Sequence, residues 1–490
     1  MTETPTDSPG VLGHLRRLAG HSAIYGAADV LPYAVNFLLV PVFTRYLTAA
    51  DYGVLALLAF LNAPLKIALR MGVDAGFFRI HYELETEDDR RRLAGTVVAF
   101  STLVTLLVVA VTMPAAPLVS DLLSSDAPPP AQWVRLIVAD LALGCLAIVP
   151  QALLRIQGRA HVFTALALGR HGVGIAFKVA LLAAGWGVEG VLWSDLVATA
   201  LFVLAQLPIL FRHTALSWSR TLLRRVLQFG LPKVPHGVFV QAQNLADRRI
   251  LEAFVTRDEL GVYQMGYTFA GVAKFPISAF EQAWQPFVYA QVGGNGAPST
   301  LARVGTYFFA LFAGVGLGAA LLGTEALKLM TPAHFHDAAA VIPVVVLAYV
   351  IHGFFLLTSI GIGIAKQARY YPLITLAAAT ANIAANFVLI PRWGLMGAAW
   401  ATVLSYGVMA AVGLRISQRL YPLPVEWSRY ARLALAAAAT YAASRLAPTA
   451  IVPAVAFKTV LLALFPAWLW ALRFWTPAEL DRLRRLFNKV

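Results

Sequence analysis

Hydrophobic segments long enough to cross a bilayer follow one another along nearly the whole chain, and short polar connections separate them. A membrane-spanning helix needs about 20 mostly apolar residues, which is the length at which these segments recur. Window hydropathy delimits about fourteen of them, centred near residues 34, 62, 105, 143, 173, 200, 238, 270, 314, 349, 380, 407, 438 and 462. The pattern predicts an all-α polytopic membrane protein with about 14 transmembrane helices.

Two sequence landmarks recur in both halves of the chain at nearly the same spacing. Asp51-Tyr52-Gly53-Val54 returns 208 residues later as Glu259-Leu260-Gly261-Val262, and Trp186-Gly187 returns 207 residues later as Trp393-Gly394. Because six spans per copy is an even number, both copies have the same orientation and are related by a pseudo-two-fold axis along the membrane normal. We therefore predict two six-helix lobes, followed by two C-terminal helices.

The repeat and the polar connections together predict how the chain is divided. The expected segments are a cytoplasmic N-terminal segment at 1–21, an N-lobe at 22–212, a cytoplasmic basic linker at 213–225, a C-lobe at 226–420, two further spans at 421–473 and a cytoplasmic tail at 474–490. No connection is long enough for a folded domain outside the membrane.

Composition and charge agree with this class of protein. The chain is 59% hydrophobic and 13% charged, whereas about a quarter of the residues in a soluble protein are charged. The formal net charge of +14 does not indicate nucleic acid, because the basic residues concentrate in alternate connections between spans. This distribution follows the positive-inside rule and predicts a multi-pass membrane protein with both termini in the cytoplasm.

Two lysines lie inside apolar spans at equivalent places of the two repeats. Lys66 follows Asp51 by fifteen residues, and Lys274 follows Glu259 by fifteen. Ionisable groups at membrane depth are costly and mark routes for polar or charged substrates. At 1.5 Å per residue each lysine lies about 22 Å along its helix from the landmark, in the cytoplasmic third of a core about 30 Å thick. We predict that this pair binds an anionic headgroup in a cavity between the lobes.

Further polar side chains within the spans extend this hypothesis. Arg70 lies one helical turn beyond the first of these lysines, and the seventh span carries Lys233, Asn244 and Arg248. We include all four as substrate-binding candidates. Three structural alternatives stay open, namely snorkelling of Arg70 to the interface, a hydrogen bond between helices for Asn244, and neutralisation of Arg248 by Asp247.

Acidic residues in the spans are candidates either for ion coupling or for neutralising these cations. We consider Asp29 and Asp195 as sites of coupling to a proton or sodium gradient. The alternative for Asp29 is a structural ion pair with Lys66, and the sequence identifies no partner for Lys178. No catalytic residue, metal site or bound cofactor is predicted, and the phosphate-binding loop of ATPases does not occur in the sequence.

The run Pro41-Val42-Phe43-Thr44-Arg45-Tyr46-Leu47-Thr48-Ala49-Ala50-Asp51-Tyr52-Gly53 resembles the first hairpin of Wzx-like polysaccharide flippases, and so does the downstream Trp-Gly-x-x-Gly pattern. These flippases belong to the multidrug/oligosaccharidyl-lipid/polysaccharide exporter superfamily. The resemblance covers nearly the whole chain and implies that the protein flips an undecaprenyl-diphosphate-linked oligosaccharide across the bacterial inner (plasma) membrane by alternating access. It also implies a lipid-linked glycan and membrane lipids as partners, with a polysaccharide polymerase and glycosyltransferases as candidate protein partners.

Three other functions stay open at this point. A multidrug or cation antiporter of the same fold needs a cavity dominated by acidic and aromatic residues, which the two lysines argue against. A lipid II flippase has, by resemblance, basic residues on spans one, two and eight, whereas span one here offers Asp29 and Asn36. A membrane enzyme of glycan assembly requires a catalytic constellation that the sequence does not display.

Overall fold

The computed structural model describes residues 31, 33–124, 127–215, 217–277, 284, 287, 288, 291, 297–475 and 479, without the side chains at 160, 233, 236, 242–245 and 297. Within these residues the secondary structure is helical and contains no β-strand. The chain forms two compact units.

The first unit comprises Met1–Leu47, Leu57–Gln241 and Ser278–Pro286. Its helices are α1 (Val40–Phe43), α2 (Ala49–Arg70, without its first turns), α3 (Val73–Glu83), α4 (Glu87–Thr112), α5 (Ala116–Leu123), α6 (Ala131–Gly144), α7 (Ile148–Ile156), α8 (Ala160–Ala183), α9 (Gly187–Leu204), α10 (Leu207–His213), α11 (Arg220–Gly230) and the start of α12 (Val234–Glu252). A core cluster that includes the fully buried Phe77, Leu93 and Val226 joins α3, α4 and α11.

The second unit comprises Thr48–Ala56, Ala242–Ile277 and Phe287–Val490. It contains the start of α2 and the end of α12, followed by α13 (Arg257–Ala270), α14 (Ala297–Met330), α15 (Val341–Thr358), α16 (Ile360–Ile364), α17 (Tyr370–Leu420), α18 (Trp427–Ser444) and α19 (Ile451–Ala471). Buried side chains such as Leu321, Leu433 and Phe465 pack α14 against α18 and α19.

The helices carry apolar side chains on their outer surfaces as well as in the core. In the described part of the chain, nine helical segments are long and apolar enough to cross a membrane. On α4 the side chains of Leu103, Leu106, Leu107 and Val111 are exposed. Since lipid tails are the favourable solvent for such a surface, the structure confirms the prediction of an all-α polytopic membrane protein. The number fourteen and the predicted segment boundaries stay predictions.

The first repeat landmark marks the beginning of a helix in both copies. Thr48 donates from its backbone N–H to Asp51 at 2.8 Å, and Thr256 donates in the same way to Glu259 at 2.8 Å. In each pair the threonine hydroxyl also accepts from the backbone N–H of the acid, at 3.2 and 3.3 Å. These reciprocal bonds are capping boxes, which satisfy backbone donors that the first turn of a helix leaves free.

The starts of α2 and α13 also pack against each other in a reciprocal way. A Cβ added at Gly53 would lie 2.2 Å from the carbonyl oxygen of Arg257, and one added at Gly261 would lie 1.8 Å from that of Ala49. Ala49 and Arg257 are themselves 208 residues apart, so each glycine meets the repeat equivalent of the other's contact. Reciprocal contacts of this kind are the signature of a two-fold relationship. The close approach requires glycine at both positions.

The second landmark is a break in helical conformation. Gly187 and Gly394 both have a backbone φ of +52°, a value that residues other than glycine rarely adopt. Gly187 begins α9, and Gly394 (with ψ of −128°) interrupts the long α17. Because the break divides α17, its 51 residues contain the two spans that were predicted around residues 380 and 407.

Candidate functional site

A cavity of about 930 Å³ lies within the first unit, between α2, α3, α6, α7, α8, α9 and α11. Five basic and three acidic side chains line it, so the formal charge of its wall is 5 − 3 = +2. The basic residues are Lys66, Arg70, Arg79, Arg155 and Arg170, and the acidic residues are Asp74, Asp140 and Asp195. The structure therefore brings three sequence-predicted site residues, Lys66, Arg70 and Asp195, into one cavity.

Lys66 lies on the uninterrupted helix α2 and lines this cavity with an exposed side chain. Among the described residues, no carboxylate oxygen lies within 4 Å of its Nζ. Four charged neighbours, Arg70, Arg170, Asp74 and Asp140, are near enough to influence the charge of Lys66 electrostatically. The predicted structural partner Asp29 falls outside the described residues, so that alternative stays a prediction, as does the coupling role of Asp29.

The other cavity cations differ in how strongly they are paired. Arg70 faces Asp74 at 3.7 Å, and both side chains are nearly half exposed, so the ion pair is weak. Arg79 is bonded to Glu83 at 3.0 Å. Arg155 stacks over the ring of Phe163, with 4.7 Å from its Cζ to the ring centroid.

Asp195 is bound to a cation that the sequence analysis left without a partner. Its Oδ1 lies 3.3 Å from Nζ of Lys178, which also sits 6.0 Å from the ring centroid of Phe43. Half of the Asp195 side chain stays exposed at the cavity wall. The contact gives Lys178 its structural partner, and the ion-coupling role of Asp195 stays a prediction.

Arg248 lies in the second unit, where it belongs to a buried polar cluster. Its Nη1 is 2.6 Å from Oδ1 of Asp247, and the two side chains are 6% and 1% exposed. Tyr263 donates its hydroxyl to Oδ2 of Asp247 at 2.6 Å, and Tyr267 is hydrogen-bonded to Thr402 at 2.8 Å. The guanidinium carbon lies 4.3 Å from the centroid of the Tyr267 ring. The cluster ties α12, α13 and α17 together, and substrate binding by Arg248 stays a prediction.

Lys274 is the repeat equivalent of Lys66, but its local structure differs. A 3-10 turn at Gly271–Ala273 separates it from α13, and residues 274–277 continue as helix. Its side chain is exposed, and Nζ lies 4.2 Å above the ring of Tyr349. The backbones of Lys233 and Asn244 lie in helical segments, while their side chains fall outside the description. The predicted substrate contacts of these three residues stay predictions.

Arg170 and Arg155 are cavity residues that the sequence analysis missed. Arg155 lies near the end of an apolar segment, where the sequence predicts a basic residue of a cytoplasmic connection that follows the positive-inside pattern. The sequence did contain a signal for Arg170 as a cavity residue, since this arginine lies inside the fifth apolar span, eight residues before Lys178. Charged side chains at such positions are rare in membrane helices and face the interior of a bundle.

The family described as "Polysaccharide biosynthesis protein" matches residues 42–292, which are 251 of the 490 residues. No curated protein sequence matches the chain. Among solved structures, the lipid II flippase MurJ in an inward closed conformation superposes with a TM-score of 0.72 at 13% identity, covering 92% of this chain and 99% of its own.

Two transporters of the MOP superfamily have similar folds. An inward-facing multidrug resistance MATE family transporter gives a TM-score of 0.64 at 16% identity, over 79% of this chain and 93% of its own. A transporter from Pyrococcus furiosus, described as having a binding pocket of reverse polarity, gives 0.53 at 17% identity, over 85% of this chain and 98% of its own. At such low identity the likeness concerns the fold, whereas the family match spans more than half of the sequence. The chain belongs to the polysaccharide biosynthesis protein family and has the fold of the MurJ and MATE transporters.

Proposed function

We propose that this protein flips an undecaprenyl-diphosphate-linked oligosaccharide across the bacterial inner membrane for polysaccharide biosynthesis. The observation that carries the proposal is the cavity of the first unit, where basic side chains outnumber acidic ones within a membrane-spanning fold. A diphosphate diester carries about two negative charges, and cations in a wet cavity replace part of its hydration. The formal cavity charge of +2 equals the charge of the diphosphate in magnitude and is opposite in sign.

The family and the fold support this choice of substrate and mechanism. The matched family is named for polysaccharide biosynthesis, and one protein of similar fold is described as a lipid II flippase. In our proposal the cavity faces the two leaflets in turn, and a proton or sodium gradient drives the cycle through Asp29 or Asp195. Transport into vesicles with imposed gradients tests this coupling, and equal rates with and without a gradient would remove it.

The proposed orientation follows from the distribution of basic residues. Both termini face the cytoplasm, so the part of the cavity lined by Arg79 and Arg155 lies toward the inner leaflet, where lipid-linked glycans are assembled. A polysaccharide polymerase and glycosyltransferases are the proposed protein partners, because they supply and consume the glycan.

The net basic cavity distinguishes this proposal from a multidrug or cation antiporter, since a cationic substrate would be repelled from it. A lipid II flippase is the second candidate, and the similarity of fold to MurJ favours it. The two candidates differ in the glycan, so complementation decides between them. Rescue of a strain that lacks its lipid II flippase supports the second candidate, and rescue of a strain that lacks its polysaccharide flippase supports the first.

The double substitution Lys66→Ala/Lys274→Ala tests the role of the two lysines. We expect loss of polysaccharide export at an unchanged level of protein in the membrane, because each of the two repeats then loses its proposed substrate-binding lysine. Lys328→Ala is the matched control, since this lysine is exposed in the last turn of α14 and does not line the described cavity. Undiminished export by the double variant would contradict the proposal.

A further inference from the structure

Arg170 reaches the cavity from α8 and is oriented there by a chain of hydrogen bonds. Its Nη2 donates to Oγ1 of Thr199 at 2.8 Å, and the Thr199 hydroxyl in turn donates to Oδ1 of Asp140. Thr199 is completely buried, whereas Arg170 and Asp140 line the cavity. The guanidinium carbon also lies 5.4 Å from the ring centroid of Phe202. Two contacts from α9, a hydrogen bond and a ring, therefore restrict the position of the guanidinium.

This arrangement holds the arginine without neutralising it. Within the described residues, no carboxylate oxygen lies within 4 Å of Arg170, because the Thr199 hydroxyl stands between it and Asp140. A guanidinium has five N–H donors in a planar fork, and the bond to Thr199 occupies one of its nitrogens. The remaining donors are available for a phosphate, which arginine binds with two parallel hydrogen bonds.

Lys66 supplies a second unpaired cation to the same cavity, and the charge of Arg170 acts on it. Lysine contributes a compact point charge, whereas arginine contributes a planar group that donates two parallel hydrogen bonds. The two side chains would therefore bind neighbouring phosphates by different contacts. A diphosphate offers two phosphate groups to these two cations, whereas a monophosphate offers one.

We propose that Arg170 and Lys66 each bind one phosphate of a diphosphate headgroup, and that Thr199 is the positioning residue that makes the cavity select diphosphates over monophosphates. The proposal rests on the proposed function, because it assigns residues of the same cavity. It adds the discrimination between diphosphate and monophosphate and two residues, Arg170 and Thr199, that produce it.

The test is calorimetric titration of the purified full chain in detergent with inorganic diphosphate and with inorganic phosphate. We expect wild type to bind diphosphate about tenfold more tightly, and Arg170→Gln to lower diphosphate affinity about tenfold while phosphate affinity changes about twofold or less. Thr199→Val should reproduce part of this loss, and Thr199→Ser should restore wild-type affinity because it keeps the hydroxyl. If Thr199 has a merely structural role, its substitution should change the affinities for diphosphate and phosphate by the same factor.

Two variants serve as controls. Thr440→Val removes the hydroxyl of another fully buried threonine, which donates to the carbonyl of Ala436, and Arg224→Gln removes an exposed charge on α11. Both should bind diphosphate as wild type does. Tight diphosphate binding that Arg170→Gln leaves unchanged overturns the assignment of Arg170 alone. Equal affinity of wild type for the two anions overturns the selectivity assigned to Arg170 and Thr199, whereas failure to bind either anion overturns the anion-binding role proposed for the cavity.

Discussion

Charged residues within the spans occupy two kinds of environment, which Lys66 and Arg248 represent. Lys66 stands at a cavity wall, where water or a ligand can solvate it. Arg248 is enclosed and depends on Asp247 and two tyrosine rings for its solvation. Removing one partner of a buried pair leaves an uncompensated charge, and this costs much more than losing an exposed pair. The two environments therefore predict different consequences of substitution, on transport for Lys66 and on stability for Arg248.

The substitution Asp247→Leu should destabilise the protein by about 3–5 kcal/mol, because Arg248 stays buried without its carboxylate. Thermal unfolding of the purified protein in detergent measures this effect. Asp337→Leu, at an exposed position, is the control and should leave the melting temperature nearly unchanged. The double variant Asp247→Leu/Arg248→Leu should be less destabilised than Asp247→Leu. If the double variant is the less stable of the two, the buried charge does not explain the loss.

At the scale of whole helices, the internal repeat is visible as matching helix starts and matching helix breaks. Thr48 with Asp51 and Thr256 with Glu259 begin equivalent helices by the same pair of hydrogen bonds. The repeated tryptophan–glycine pairs break helices at the same φ. The two copies nevertheless diverge where they carry their lysines, since α2 is continuous at Lys66 while a 3-10 turn precedes Lys274.

Gly53→Ala and Gly261→Ala should each destabilise the protein by about 1–3 kcal/mol, since the added methyl group overlaps a carbonyl oxygen of the neighbouring helix. The reciprocal geometry predicts similar losses at the two sites. Gly407→Ala is a matched control in the helix α17, where a Cβ has no heavy atom within 4 Å. Replacing a helical glycine by alanine otherwise stabilises a helix, so this control should melt at or above the wild-type temperature. Comparable losses for all three variants would show that helix crossing is not the cause.

At the scale of the whole molecule, the positive-inside pattern predicts how the chain is oriented in the membrane. Arg224, on α11, belongs to the connections predicted to be cytoplasmic, and Leu446 lies between α18 and α19, on the side predicted to be periplasmic. Both side chains are exposed, so each can report the compartment it faces. The orientation matters for function, because the proposed flippase must take its substrate from the cytoplasmic leaflet.

Cysteine labelling checks this orientation, because Cys145 is the single cysteine of the sequence. Starting from Cys145→Ser, we expect Leu446→Cys to react with a membrane-impermeant maleimide added to spheroplasts. Arg224→Cys should react only after the membrane is permeabilised. Cys145→Ser without a further cysteine gives the background. The reversed pattern of labelling would place the termini in the periplasm and contradict the proposed direction of transport.

Much of the fold and part of the candidate site could be predicted from the sequence. The length and apolarity of the spans determine a polytopic helical protein, since the bilayer admits few alternatives to helices for a backbone that must satisfy its own hydrogen bonds. The spacing of the landmarks likewise identified the repeat, because its capping residues and its tryptophan–glycine helix breaks act locally along the chain. Lys66 was found as a cavity residue because a charge within an apolar span is conspicuous by itself.

Only the tertiary structure decided which charges stand alone and which are paired. Lys178 with Asp195, and Arg170 with Thr199 and Asp140, join side chains from different helices that are 17 to 59 positions apart in the sequence. The sequence left Arg248 open between substrate binding and neutralisation by Asp247, and packing places it among buried tyrosines beside Asp247. Periodicity specifies the face of a helix on which a residue lies, but not which neighbouring helix that face meets. The sequence alone therefore determined the class of protein and its duplication, and the packing of the helices determined the composition of the cavity.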